Sequence, residues 1–173
     1  MDRYHRGSVW IHWLMFVLFA IALTCIEVRG WVPRTSGMAL RNQLRGFHID
    51  AGLLVLLFAV VRIGWRLVYR APPVIGTPLQ AKLAHALHGV LYLLMFLLPI
   101  SGVVFSQAGG HDVALFGWVL PTMVAPDPAL RGVVRELHGL MGNAVYFLVG
   151  IHVLAALWHH FVLKDDTLRR MRP

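Results

Sequence analysis

Residues 137–163 read LHGLMGNAVYFLVGIHVLAALWHHFVL, a run with no charged side chain and with histidines at 138, 152, 159 and 160. As a helix it is long enough to cross a hydrocarbon core of about 30 Å, which takes roughly 20 residues. His138 and His152 are fourteen positions apart. At about 3.6 residues per turn that spacing returns to nearly the same helix face, with a rise of roughly 21 Å. Imidazoles are costly in hydrocarbon unless they have a partner. Two on one face, near opposite edges of a bilayer, suggest two metal centres in series, an arrangement that carries electrons across lipid.

The rest of the chain has the same character. Of its 173 residues, 58% are hydrophobic and 14% charged, too apolar for an ordinary soluble domain. Four stretches suit membrane spans, near residues 9–27, 47–67, 84–106 and 137–163, and together they make residues 1–173 a single transmembrane domain. A fifth apolar patch, Val113 to Val124, is broken by Gly117 and Pro121 and reads as an interfacial or re-entrant loop. The basic start and first apolar run also resemble a signal peptide, with Leu23-Thr24-Cys25 a faint lipoprotein site. Thr24 suits neither cleavage, and the run is expected to stay as the first span.

With four spans, both termini and the loop between spans two and three share one side. That side holds ten of the sixteen basic residues: Arg3, Arg6, Arg62, Arg66, Arg70, Lys82, Lys164, Arg169, Arg170 and Arg172. The positive-inside rule makes it the cytoplasmic side. Arg29, Arg34, Arg41, Arg45, Arg131 and Arg135 then face the periplasm. The net charge of +8 is accounted for by this topology and by anionic lipid, with no surface domain suited to nucleic acid. Cys25 is the only cysteine, which excludes a disulfide, a thiolate zinc site and covalent haem attachment through C-x-x-C-H.

Depth pairs the histidines. His12 lies just inside the cytoplasmic end of span one, level with His152; His48 opens span two from the periplasmic face, level with His138. Each pair can fill both axial positions of a non-covalent b haem, a ligation that favours electron transfer over oxygen binding. Gly52 and Gly142, each four residues after a histidine, leave room for a macrocycle, and Arg62, fourteen after His48, is placed for a haem propionate. Spacing alone also allows His85 or His88 to replace His12, since Gly89 follows His85 by four. For any single histidine, an interhelical hydrogen bond is the ordinary alternative. His159 and His160 suit either interfacial anchoring or a functional role; His5 and His111 read as exposed.

Several motifs resemble the bacterial four-helix di-haem cytochrome b561 family, including its superoxide-oxidising members. They are Ile11-His12-Trp13-Leu14, Glu27-Val28-Arg29-Gly30 with Pro33-Arg34, Val61-Arg62 with Arg66-Leu67, Pro72-Pro73, and Ala84-His85 with His88. Gly117, Pro121, Tyr146-Phe147, Gly150-Ile151-His152, His159-His160 and Lys164-Asp165-Asp166-Thr167-Leu168 complete the set. The last segment is distinctive, because membrane hydrophobicity gives no reason for it. The resemblance implies an all-α, antiparallel four-helix transmembrane bundle in a bacterial inner membrane, holding two b haems. It also implies that His12 with His152, and His48 with His138, are the ligands.

The activity it implies is transfer of electrons from periplasmic superoxide through both haems to ubiquinone. The wider family includes subunits that dock a partner, but with no extra helix or long extramembrane domain to serve one, no obligatory protein partner is expected. Arg29, Arg34, Arg45 and Arg135 are the expected focusing patch for the anion, although single arginines also bind lipid phosphates or propionates. Quinone reduction consumes protons, so His85, His88 and His159 are expected near the headgroup, with Ser8 and Trp10 lining the site. The rival class is a passive haem subunit between a dehydrogenase, or another redox partner, and quinone. It should show an apolar docking patch on an extramembrane surface.

Overall fold

The computed structural model describes residues 3–172. Four long helices account for most of them: α1 (Arg6–Trp31), α2 (Met38–Val68), α3 (Pro78–Ala108) and α4 (Pro128–Phe161). All four are long and apolar enough to cross a membrane. Successive helices run antiparallel, with α1 packed on α2, α3 on α4, and α2 on α3. At the end away from the termini, α2 and α4 begin well before the spans expected from hydropathy, whereas α3 begins early at the opposite end. His48 and His138 are therefore each the eleventh residue of their helix rather than its opening residue.

Local sequence explains the helix ends. Thr77 and Gln80 form a reciprocal capping box before Pro78, and Asp127 accepts from the backbone of Ala129 and Leu130 before Pro128. The α1–α2 turn is closed by buried Arg41, whose guanidinium donates to the carbonyls of Arg29 (2.7 Å) and Val32 (2.6 Å). A cation there also complements the negative end of the α1 dipole. After α4, Lys164 takes a left-handed conformation (φ 52°) that turns the chain back towards the bundle. There Arg170 donates to Pro73 O, and Trp13 Nε1 donates to Met171 O.

A compact core of Met15, Leu18, Val55 and Ala59 joins α1 to α2 and receives Met95 and Phe96 from α3. Most other large apolar side chains point outwards, as a bilayer requires. The patch around Gly117 is neither a helix nor a structureless loop. It is a small antiparallel hairpin, β1 (Ala114–Leu115) and β2 (Trp118–Val119). Phe116 (φ 50°) and Gly117 (φ 88°) form its two-residue turn, both left-handed as a type I′ turn demands. The Asp50 carboxylate on α2 accepts from Phe116 N at 2.8 Å, tying this hairpin to the helix that carries His48.

Candidate functional site

The four helices bring two pairs of imidazoles together. The rings of His12 on α1 and His152 on α4 stand 6.0 Å apart, centroid to centroid, at 75°. Those of His48 on α2 and His138 on α4 stand 6.2 Å apart at 80°. An imidazole holds a transition metal at about 2 Å with its centroid roughly 1 Å further back. Two rings on opposite sides of one ion therefore stand about 6 Å apart. Both pairs meet that geometry.

Hydrogen bonds fix the second pair. His48 Nδ1 lies 2.8 Å from the carbonyl oxygen of Ala22, and His138 Nδ1 lies 3.0 Å from Ser101 Oγ. With Nδ1 so engaged on each ring, Nε2 is the nitrogen left for a metal, the usual arrangement around histidine ligands. Ser101 in turn donates to Leu98 O. Gly102 lets the ring approach α3, since a Cβ there would meet His138 Cε1 at 3.3 Å. A Cβ on Gly52 or Gly142 would meet nothing within 4 Å, so the immediate surface of α2 and α4 at these positions is unobstructed. The donor set, the ring separations and the open glycine faces fit b-type haem.

His88 is a third imidazole at the inner level, 5.3 Å from His152, closer than opposed ligands of one iron stand. Arg62 lies within coulombic reach of His12, His88 and His152. Its Nε donates to Tyr92 Oη at 2.8 Å, and a terminal nitrogen donates to Ser8 O at 3.2 Å. Ser8 is buried, whereas Trp10 and His85 are exposed on the outer faces of α1 and α3. His159 is held by Asp165 through a short hydrogen bond from Nδ1. Thr167 donates its backbone N–H to the other carboxylate oxygen at 2.8 Å. Burial raises the Asp165 pKa, but the hydrogen bonds from His159 and Thr167 outweigh it and hold the carboxyl below its ordinary value.

At the other end, Arg34, Arg41, Arg45 and Arg135 gather within coulombic reach of Arg29, which itself lies near His48. None of these arginines has a carboxylate partner among the described residues. Close by, the Tyr146 hydroxyl donates to Glu27 at 3.0 Å and, with Asn143 and Phe147, lines a shallow cleft of about 380 Å³. Sequence reasoning missed Ser101, Tyr92, Asp165 and the Glu27–Tyr146 bond. The motifs drew attention to three of those segments without supplying a geometric role.

Comparison with known proteins agrees with this architecture. The profile of the family described as prokaryotic cytochrome b561 matches residues 3–173. A Yersinia pestis protein named probable superoxide oxidase CybB is 36% identical over 173 residues, covering 99% of this chain and 96% of its own. Cytochrome b561 homolog 1 of Escherichia coli K12 is 30% identical over 175 residues, covering 100% and 98%. Cytochrome b562 of Cereibacter sphaeroides is 38% identical over 173 residues, covering 98% and 96%.

Proposed function

The chain belongs to the prokaryotic cytochrome b561 family of membrane electron-transfer proteins, and from that premise we propose that it is a superoxide:quinone oxidoreductase with two b haems. The observation that carries the two-haem reading is the pair of imidazole couples at 6.0 and 6.2 Å, each joining α4 to an earlier helix. In this reading the termini are cytoplasmic in a bacterial inner membrane, and the arginine cluster faces the periplasm. When bound, the haems would supply a one-electron relay; in the overall reaction two superoxide anions, one quinone and two protons yield two dioxygen molecules and one quinol.

The protein's own residues do the rest. Arg29, Arg34, Arg45 and Arg135, unneutralised among the described residues, raise the local concentration of a small anion at the edge of the His48/His138 couple. His48 and His138 are aimed by Ala22 O and Ser101. At the inner end, His159 offers a proton to a quinone oxygen while Asp165 compensates its charge. His88 lies beside His152, and Trp10 and His85 border the lipid side from which a quinone arrives.

A second reading draws on the hairpin. Phe116, Trp118, Val119 and Met123 are exposed together, an apolar surface of the kind a redox partner docks on if the protein is only a conduit. Stopped-flow mixing of the oxidised protein with superoxide separates the two. Rapid haem reduction that slows with salt, and reverses when ubiquinone is added, is the expected result. Slow, salt-insensitive reduction of a protein carrying both haems overturns the proposal in favour of the conduit.

A further inference from the structure

At the end of the bundle that holds the termini, α1 and α2 enclose a small basic opening lined by Tyr4, Ser8, Arg62, Trp65, Arg66 and Tyr69. It measures about 10 Å³, room for one oxygen-sized group. Trp65 Nε1 is buried without a hydrogen-bond partner among the described residues. Buried donors are normally paired, because leaving one unmade is costly. The indole is firmly placed: it lies so close to Gly7 that a Cβ there would collide with its ring, and Tyr69 and His5 pack against it. Arg62 and Arg66 both donate to the Tyr92 hydroxyl, at 2.8 and 3.4 Å, Arg62 donates also to Ser8 O, and neither meets a carboxylate among the described residues. Two arginines and an indole with an unpaired N–H line this one opening.

Depth identifies the anion. Arg62 lies within coulombic reach of both His12 and His152, and its guanidinium also donates to Ser8 O. Arg66 follows Arg62 by four residues on α2, and Ser8 precedes His12 by four on antiparallel α1, so both lie about 6 Å closer to the termini. A haem carries its two carboxylates on one edge of the ring. An edge turned towards the termini reaches this level. We propose that Trp65 and Arg66, together with Arg62, form the cradle for a propionate of the haem held by His12 and His152. Trp65 Nε1 and the Arg66 guanidinium donate to its oxygens, and the orphan indole donor is thereby satisfied. The assignment rests on the reading of His12 and His152 as an axial pair.

Haem release to excess apomyoglobin, followed in the Soret band on the full-length haem-loaded protein, tests it. Arg66→Gln should accelerate release of one haem about tenfold, the effect of losing one charge-assisted hydrogen bond, with the second haem unchanged. Trp65→Phe, which keeps the aromatic packing and removes the donor, should accelerate the same phase, and Arg66→Lys should partly restore it. Reconstitution with haem dimethyl ester, which lacks the carboxylates, should abolish the difference between wild type and Arg66→Gln. A difference that persists with the ester overturns the proposal. Accompanying loss of co-purified phosphatidylglycerol in Arg66→Gln would assign the pocket to a lipid phosphate instead. His12→Ala separates the underlying reading: if that variant keeps both haems, the axial assignment fails, whatever Arg66→Gln does.

Discussion

At the scale of single residues, Asp165 shows how a side chain with no spacing rule to announce it acquires a role. It follows left-handed Lys164, and the reversal of the chain there places its carboxylate against His159 and the Thr167 backbone. Its folded pKa lies below its unfolded value, so its contribution to stability is fully present above the ordinary carboxylate range. That contribution is lost as pH falls through the depressed value. Thermal denaturation between neutral and acid pH should therefore show a steeper loss of Tm in wild type than in Asp165→Asn. Equal slopes would dissociate Asp165 from acid sensitivity. The histidine depths, by contrast, were legible in the sequence, because a helix converts position directly into height. Ser101 was not, since its relation to His138 depends on how α3 lies against α4.

At the scale of elements, hydropathy located the apolar centre of each helix, and the helices run past those spans. The first turns of α2 and α4 carry Arg41, Asn42, Gln43, Arg45, Arg131, Arg135 and Glu136, too polar for a membrane span yet compatible with a helix rising out of lipid. The hairpin was hidden for a different reason: two-residue strands show no alternation to read. Its turn is the part that chemistry constrains, because Gly117 sits at φ 88°. Gly117→Val should cost roughly 1–2 kcal/mol locally, the penalty for a branched residue in the left-handed region. Hydrogen exchange checks this. The Phe116 amide, now bonded to Asp50, should exchange faster in the variant while the helical amides of α2 stay protected.

At the scale of the whole molecule, α1 packs on α2 and α3 on α4, whereas both imidazole couples reach across from the first pair to α4. His48→Ala should leave one haem, halving the pyridine haemochrome yield. It should also lower Tm, because a ligand that binds only the folded state stabilises it by mass action. Two haems retained in that variant would contradict the couples. The same arrangement has a meaning for biogenesis. As the chain leaves the ribosome, the first helical hairpin can pack long before its partner exists, but neither imidazole couple is complete until α4 has been made. On the two-haem reading, haem capture would be a late event that ties α4 back to the first hairpin, and a cell short of haem would accumulate inserted chains without that tie.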